Sequence, residues 1–347
     1  MVSYQGKYEL FDASRIKTYP IRERPNRVTL TDLVTPEAVL DGPEPTLDAT
    51  LADKVSAVAD AMVAARAANK PVIFFMGAHP VKNGLGLLIR DLIRRDLVTL
   101  VATNCAGAIH DFELAMIGAT SETVPNALPQ GRFGMAYEFC YFNEAVRTGF
   151  AEGLGFGESL GAMICDDAFR GRVLAKVQRD DSPASFAHPE VSYLAEAYQR
   201  SVPLTVHATI GADVVDQHAG FDAAAKGGAS GRDFLIYTNE VAKLTDGGVV
   251  LNVSCAVTGP EVLLKAISMA GNTGKPAKGI TTADFDLRPA RPEAMTDESE
   301  VYYYYRDQKS IVTRVPDAVG GTGYYLQGDH RDTLPALFRA LVRVTGG

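Results

Sequence analysis

The chain has 347 residues, 46% of them hydrophobic, enough to build a large packed core, which excludes a disordered chain. Its 34 basic and 42 acidic residues leave a net charge of −8, which argues against a nucleic-acid partner. The sequence has no run of about 18 uninterrupted apolar residues, so no membrane span is expected.

The opening stretch MVSYQGKYELFDASR is polar and lacks an apolar signal core, and a cytoplasmic protein is expected. Residues 1–45 are rich in Pro, Arg and turn formers and predict an irregular arm; residues 46–347 predict one α/β domain. LDATLADKVSAVADAMVAARAANK has apolar residues at helical spacing. PVIFFMG (71–77) is a short apolar run ending in glycine, the pattern of a buried parallel strand. An amphipathic helix (84–96), a second buried strand (97–104) and a helix (108–118) follow. The basic cluster Arg90, Arg94 and Arg95 reads as a solvated helix face. Residues 119–192 are Gly-rich and helical or irregular. Strands are then expected at 202–211, 247–256 and 279–286. They alternate with helices over SGRDFLIYTNEVAKLT and PEVLLKAISMAGN. Residues 287–330 read as loop, with GGTGYY (320–325) in it, and LPALFRALVRV closes the chain as a helix. Alternating strands and helices predict a Rossmann-like parallel sheet with helices on both faces.

In such sheets ligands bind beyond the carboxyl ends of the strands. The corresponding loops are Gly77–Lys82, Asn104–Asp111, Ala208–His218, Ser254–Glu261 and Thr281–Asp286. Their small residues let phosphates approach backbone N–H groups, and they carry His79, His110, His207 and His218. The phosphate-loop motif GxxxxGK[ST] is absent. GLGFGESLG (153–161) follows a helical stretch rather than a strand and reads as a helix-packing segment. His110–Asp111 is a candidate base with an orienting carboxylate. The spacing of His207, Asp213, Asp216 and His218 matches no strong zinc pattern, so no metal is expected. Cys105, Cys140, Cys165 and Cys255 lie far apart without a CxxC pair, and reduced thiols are expected.

FFMGAHPVKNGLGLLIRDLIRRDLVTLVATNCAGAIHDFELA, which begins at Phe74, resembles the deoxyhypusine synthases in the order of its Gly-Ala turn, its Ile-x-Asp-Leu-Ile helix and its His-Asp strand end. YLAEAYQRSVPLTVHATIGADVVDQH, LNVSCAVTGPEVLLKA and GITTADFD resemble later motifs of that family more loosely. The resemblance implies a deoxyhypusine synthase-like NAD-binding fold and a homotetramer with shared sites. Carried over by position, Gly77, Ala78, His79, Asn104, Cys105, Ala106, Ser254, Thr281 and Thr282 would line the cofactor. Asp216, with Asp213 and His218 beside it, would hold a cationic amine. Where the family has its nucleophilic lysine, this chain has Glu261, with Lys265 one helical turn later. A glutamate cannot form an imine. The implied activity is therefore NAD-dependent oxidation, elimination or rearrangement of a small amine or amino-acid-like substrate. His110 or His207 would be the base and Asp216 and Glu261 the ammonium anchors. The alternatives are an aminoalkyltransferase of deoxyhypusine or homospermidine synthase type using Lys265, and a non-catalytic nucleotide-binding protein.

Overall fold

A computed structural model describes residues 4–177, 185–291, 294–295 and 297–346. The described residues form eight strands: β1 (Asn26–Thr29), β2 (Val72–Met76), β3 (Leu100–Asn104), β4 (Ala119–Glu122), β5 (Leu204–His207), β6 (Val249–Val253), β7 (Thr281–Asp286) and β8 (Thr322–Gln327). Six of them form one all-parallel sheet in the order β5-β3-β2-β6-β7-β8. From β2 the chain winds outward to β5, returns to β6 beside β2, and winds the other way to β8. This is the doubly wound Rossmann order, with its switch point between β2 and β6.

Alternation along β2 explains the two layers. All five residues of β2 are buried. Val72, Phe74 and Met76 join one core cluster, Ile73 and Phe75 the other. The first cluster takes in apolar residues of α1 (Ala49–Ala67), α2 (Gly86–Arg94) and the closing helix His330–Thr345. The second takes in those of Ala223–Val241 and Thr258–Asn272. Helices therefore cover both faces, as a parallel sheet requires.

The expected sheet has five strands; the structure adds β8. Its residues Thr322–Gln327 overlap GGTGYY, which was expected to be loop. The sequence signal is weak because β8 is an edge strand, exposed at both ends and buried only at Tyr325 and Leu326. A π-helical segment, Gln308–Arg314, precedes it. The stretch expected as an irregular arm carries β1, which pairs antiparallel with β4, and a short helix, Pro36–Asp41. Arg339 of the closing helix donates to the carbonyls of Gly42 and Pro43 at 3.0 and 3.1 Å. The basic cluster at the end of α2 is partly solvated and also paired: exposed Arg94 with Glu196 at 2.9 Å, half-buried Arg95 with Asp91, and Arg90, which donates to the Glu190 carbonyl.

GLGFGESLG does pack helices. The helix Phe156–Cys165 starts after Gly155, and a side chain at Gly157 would meet the Leu204 carbonyl oxygen at 2.0 Å. At the other edge of the sheet, two outward donors at the carboxyl end of β5 are occupied. Val206 N–H bonds the Asp233 carboxylate at 2.6 Å, and Ala208 N–H bonds the Ser230 hydroxyl at 3.0 Å. Asp233 also accepts from Phe156 and Gly157 N–H, and burial pushes its carboxyl up to about 7.

Candidate functional site

Two clefts open beyond the carboxyl ends of the strands, one on each side of the short helix His79–Lys82. The spacing of that turn matters: His79 lines one cleft and Lys82 the other.

The larger cleft, about 400 Å³, lies at the switch point. Its walls include His79, Ser254, Asp286, Arg288, His330 and Arg331. The turns after β2 and β6 touch here. Gly77 N–H bonds the Val253 carbonyl at 2.9 Å, and a side chain at Gly77 would sit 2.3 Å from the Ser254 carbonyl oxygen. Ser254 itself has φ +56°, a left-handed conformation that non-glycine residues rarely adopt outside functional turns. The charged groups are paired: Arg331 with Asp329 at 2.7 Å, and Arg288 with Asp286 at 2.8 Å and also with the buried Asp307. Burial lowers the pKa of His79, and Lys82 lowers it further. Burial likewise lowers that of His330, against the opposing pull of Asp286. Both rings are thus held neutral near pH 7. His330 is 4% exposed, and its Nδ1 has no partner among the described residues.

The smaller cleft, about 260 Å³, is lined by Arg24, Lys82, His110, Glu113, Glu122 and Asp213, among others. A chain of bonds fixes its histidine. His110 Nδ1 lies 2.7 Å from the Thr120 hydroxyl, which bonds Glu113. Glu113 pairs with Arg24 at 2.7 Å, both side chains being almost fully buried. Burial pushes the Glu113 carboxyl up, but its bonds with His110 and Arg24 outweigh this and hold it below its ordinary value. An ionised carboxylate can only accept, so Thr120 gives its one proton to Glu113. Thr120 must then accept from His110, which places the imidazole proton on Nδ1. In the neutral ring this tautomer leaves the lone pair on Nε2, the form a general base needs.

The structure separates the expected residues into those at the clefts and those elsewhere. His79, His110, Ser254, Ala106 and Asp213 line one cleft or the other. Gly77 and Ala78 form the turn between β2 and the short helix. Asn104 caps the helix Cys105–Ile117 by accepting from Gly107 N–H at 2.9 Å, and Cys105 is fully buried under it, its thiol pushed well up by burial.

Other expectations are corrected. Asp111 does not orient His110. It points away and caps the helix Tyr193–Gln199, accepting from Tyr193 and Leu194 N–H at 3.1 Å each and from Ser192. His207 is not at a cleft. It is 5% exposed, stacked on Phe75 at 5.3 Å and edge-on to Tyr237, and burial lowers its pKa to about 3. Asp213 and Asp216 already hold an ammonium, that of buried Lys226, with Asp213 at 2.8 Å. His218 is buried and faces Cys140, with Nδ1 3.5 Å from Sγ. Thr281 and Thr282 begin β7, at the amino end of the sheet, opposite both clefts. The carboxyl-end residue of that strand is Asp286. Glu261 and Lys265 pair with each other on the outer side of their helix, the Lys265 side chain 56% exposed. Neither lines a described cleft.

Sequence reasoning missed Arg24, Lys82, Glu113, Thr120 and Glu122 in the small cleft and Arg288, His330 and Arg331 in the large one. Glu113 was the findable one, three residues after His110 on the same helical face. Among the described residues no three His, Cys, Asp or Glu side chains gather as metal ligands, and no helix is long and apolar enough to cross a membrane.

No protein-family model matches the chain, and no curated protein matches it. Solved structures do. AgrE in its ternary complex with ornithine and NAD+ is 15% identical, over 88% of this chain and 35% of AgrE, with a TM-score of 0.46. A structure described as a proposed LOR/SDH protein of Methanococcus maripaludis S2 is 12% identical, over 90% and 74% of the two chains, with a TM-score of 0.45. One described as a proposed deoxyhypusine synthase of Entamoeba histolytica is 8% identical, over 95% and 98%, with a TM-score of 0.37. The chain spans about a third of the length of AgrE and of the cyanobacterial arginine dihydrolase ArgZ. These neighbours thus include a protein of the type that the motifs from Phe74 onward resemble. At such identities and scores nothing about activity passes to this chain.

Proposed function

We propose that this protein is an NAD-dependent enzyme acting on a small amine or amino-acid-like substrate. The carrying observation is the pairing of a switch-point crevice with a small charged pocket whose histidine has a fixed tautomer.

The crevice tests the cofactor. Rossmann domains bind dinucleotides at this switch point. The usual Gly-rich phosphate turn is replaced by Gly77-Ala78-His79-Pro80, and Pro80 offers no N–H. The end of β3 carries Asn104, an amide spent on a helix cap, where such domains usually place the ribose carboxylate. Donors are supplied instead by the exposed Arg331 and the unpartnered His330 Nδ1. These residues suit a phosphate-bearing ligand, and with His79 and Ser254 they would hold NAD. Bound there, NAD would supply a hydride acceptor.

The small pocket suits a zwitterion. Lys82 can take a carboxylate, and Glu122 an ammonium. Arg24 is already neutralised by Glu113. His110 Nε2 takes the proton of the ammonium, which frees the nitrogen lone pair required for oxidation at the adjacent carbon.

Calorimetry with NAD and NADP on the purified protein tests the reading, followed by an absorbance screen of amines and amino acids for reduced cofactor. Ligand at about 100 times its dissociation constant should stabilise the fold by roughly 2.7 kcal/mol. Absence of binding by either dinucleotide would remove the proposal.

A further inference from the structure

Another cavity, about 500 Å³, opens at the amino end of β5, the opposite end of the sheet from both clefts. It lies between the helices Phe156–Cys165, Tyr193–Gln199 and Ala223–Val241. Leu194, Val202, Leu204 and Ile236 give it an apolar wall, and Glu158, Tyr198 and Asp233 a polar one. No Lys or Arg among the described residues lines it. Asp233 is buried, and its charge is met by backbone N–H groups alone. Its Oδ1 accepts from Phe156 at 2.9 Å, and its Oδ2 from Gly157 at 2.9 Å and Val206 at 2.6 Å. A carboxylate offers about four acceptor sites, so one stays open on Oδ1. Burial pushes this carboxyl up to about 7, with the backbone bonds pulling against it and the Glu158 charge adding to it. Its ionised form therefore lacks a counter-cation. Glu158 is exposed and has no ion pair among the described residues. The Tyr198 ring is seated on Gly161, where a side chain would meet it at 3.1 Å. Burial, then the charges of Asp166 and Glu158, raise its phenol, so the ring stays neutral.

We infer that this cavity is a second ligand site of the protein, built for an organic ammonium with a compact apolar body. Glu158 and the open acceptor of Asp233 take the ammonium, and the face of Tyr198 adds a cation–π contact. The apolar body fills the space against Leu204 and Ile236. A carboxylate or phosphate ligand meets two carboxyl groups here and no cation. A neutral apolar ligand fills the same wall but leaves both carboxylates without a counter-charge.

The test is titration of the isotope-labelled full-length protein with benzylammonium chloride, followed by the amide resonances of Ser201, Leu204 and Ile236 around the cavity. These resonances should shift saturably, with a Kd of about 1 mM or lower. Benzyl alcohol, the uncharged counterpart, should bind at least about tenfold more weakly. Glu158→Lys, a change at an exposed position, should weaken benzylammonium by about tenfold or more, and Glu158→Gln by less. Absence of a saturable shift at these three amides overturns the inference. So does benzyl alcohol binding as tightly as benzylammonium, or a folded Glu158→Lys protein with unchanged affinity. Shifts confined to the amides around His110 and Glu122 also overturn it, and place the ammonium in the small cleft instead.

Discussion

The two clefts flank one turn yet are built in opposite ways. In the switch-point cleft Arg331 pairs with Asp329, two residues away, while Arg288 pairs both with its neighbour Asp286 and with the buried Asp307. In the small cleft the central pair joins Arg24, next to β1, to Glu113 in the helix after β3, and the histidine is fixed through Thr120 of β4. An exposed local pair such as Arg331–Asp329 can give way to a ligand at little cost to the fold. A pair assembled from distant, buried parts of the chain holds the fold and the tautomer together.

The contrast can be broken by substitution. The largest effect should fall on turnover. His110→Gln should lower kcat by about 10²- to 10⁴-fold, the usual worth of a positioned base, while NAD affinity measured by calorimetry stays put. Next comes stability. Arg24→Met leaves Glu113 buried without its cation and should cost about 3–5 kcal/mol in denaturant unfolding. Arg331→Ala, whose pair with Asp329 is largely exposed, should cost at most about 1 kcal/mol and should instead weaken NAD binding. Equal stability losses from the two arginine variants would erase the distinction between the clefts.

A smaller effect should appear in pH dependence outside both clefts. Burial raises the Asp111 carboxyl from 3.8 to about 7 in the folded protein. A raised carboxyl stabilises fully below the unfolded value, and that contribution is lost as pH rises toward the folded one. Asp111→Asn should therefore flatten the part of the stability profile that falls between about pH 4 and pH 7. His207 works in the opposite sense. Its lowered value makes stability fall as pH drops below about 6.5. The smallest effect is expected from Lys265→Ala, which removes an exposed helical pair: within about 0.5 kcal/mol in stability, with turnover unchanged and no borohydride-trappable adduct lost.

The switch-point cleft was largely legible in the sequence, because it is made by strand-end loops that a run such as VIFFMG marks directly. Gly77, His79 and Ser254 follow from that rule. The small cleft was half legible. His110 could be named, but its partner was taken to be the adjacent Asp111, and neighbours on a helix face different ways. The true partners are Glu113, one turn on, and Thr120, across a strand pairing that no local pattern announces. His207 misled for a related reason. It ends a strand, as a ligand-binding residue would, but its side chain alternates inward between Phe75 and Tyr237. Thr281 and Thr282 were placed at the wrong end of β7, since the motif carried over from the family spans the whole strand. β8 escaped notice because an edge strand with little buried surface has no hydrophobic signature.

The side chains that occupy β5 have one more consequence. A sheet edge with vacant donors is a template on which another chain can lay a strand, the first step of cross-β aggregation. Here Asp233 and Ser230, both from the helix Ala223–Val241, take up the outward N–H groups of Val206 and Ala208. The helix thus serves as a guard rail along that margin of the sheet, and its carboxylate and hydroxyl do for solubility what an added strand or a row of lysines does in other proteins.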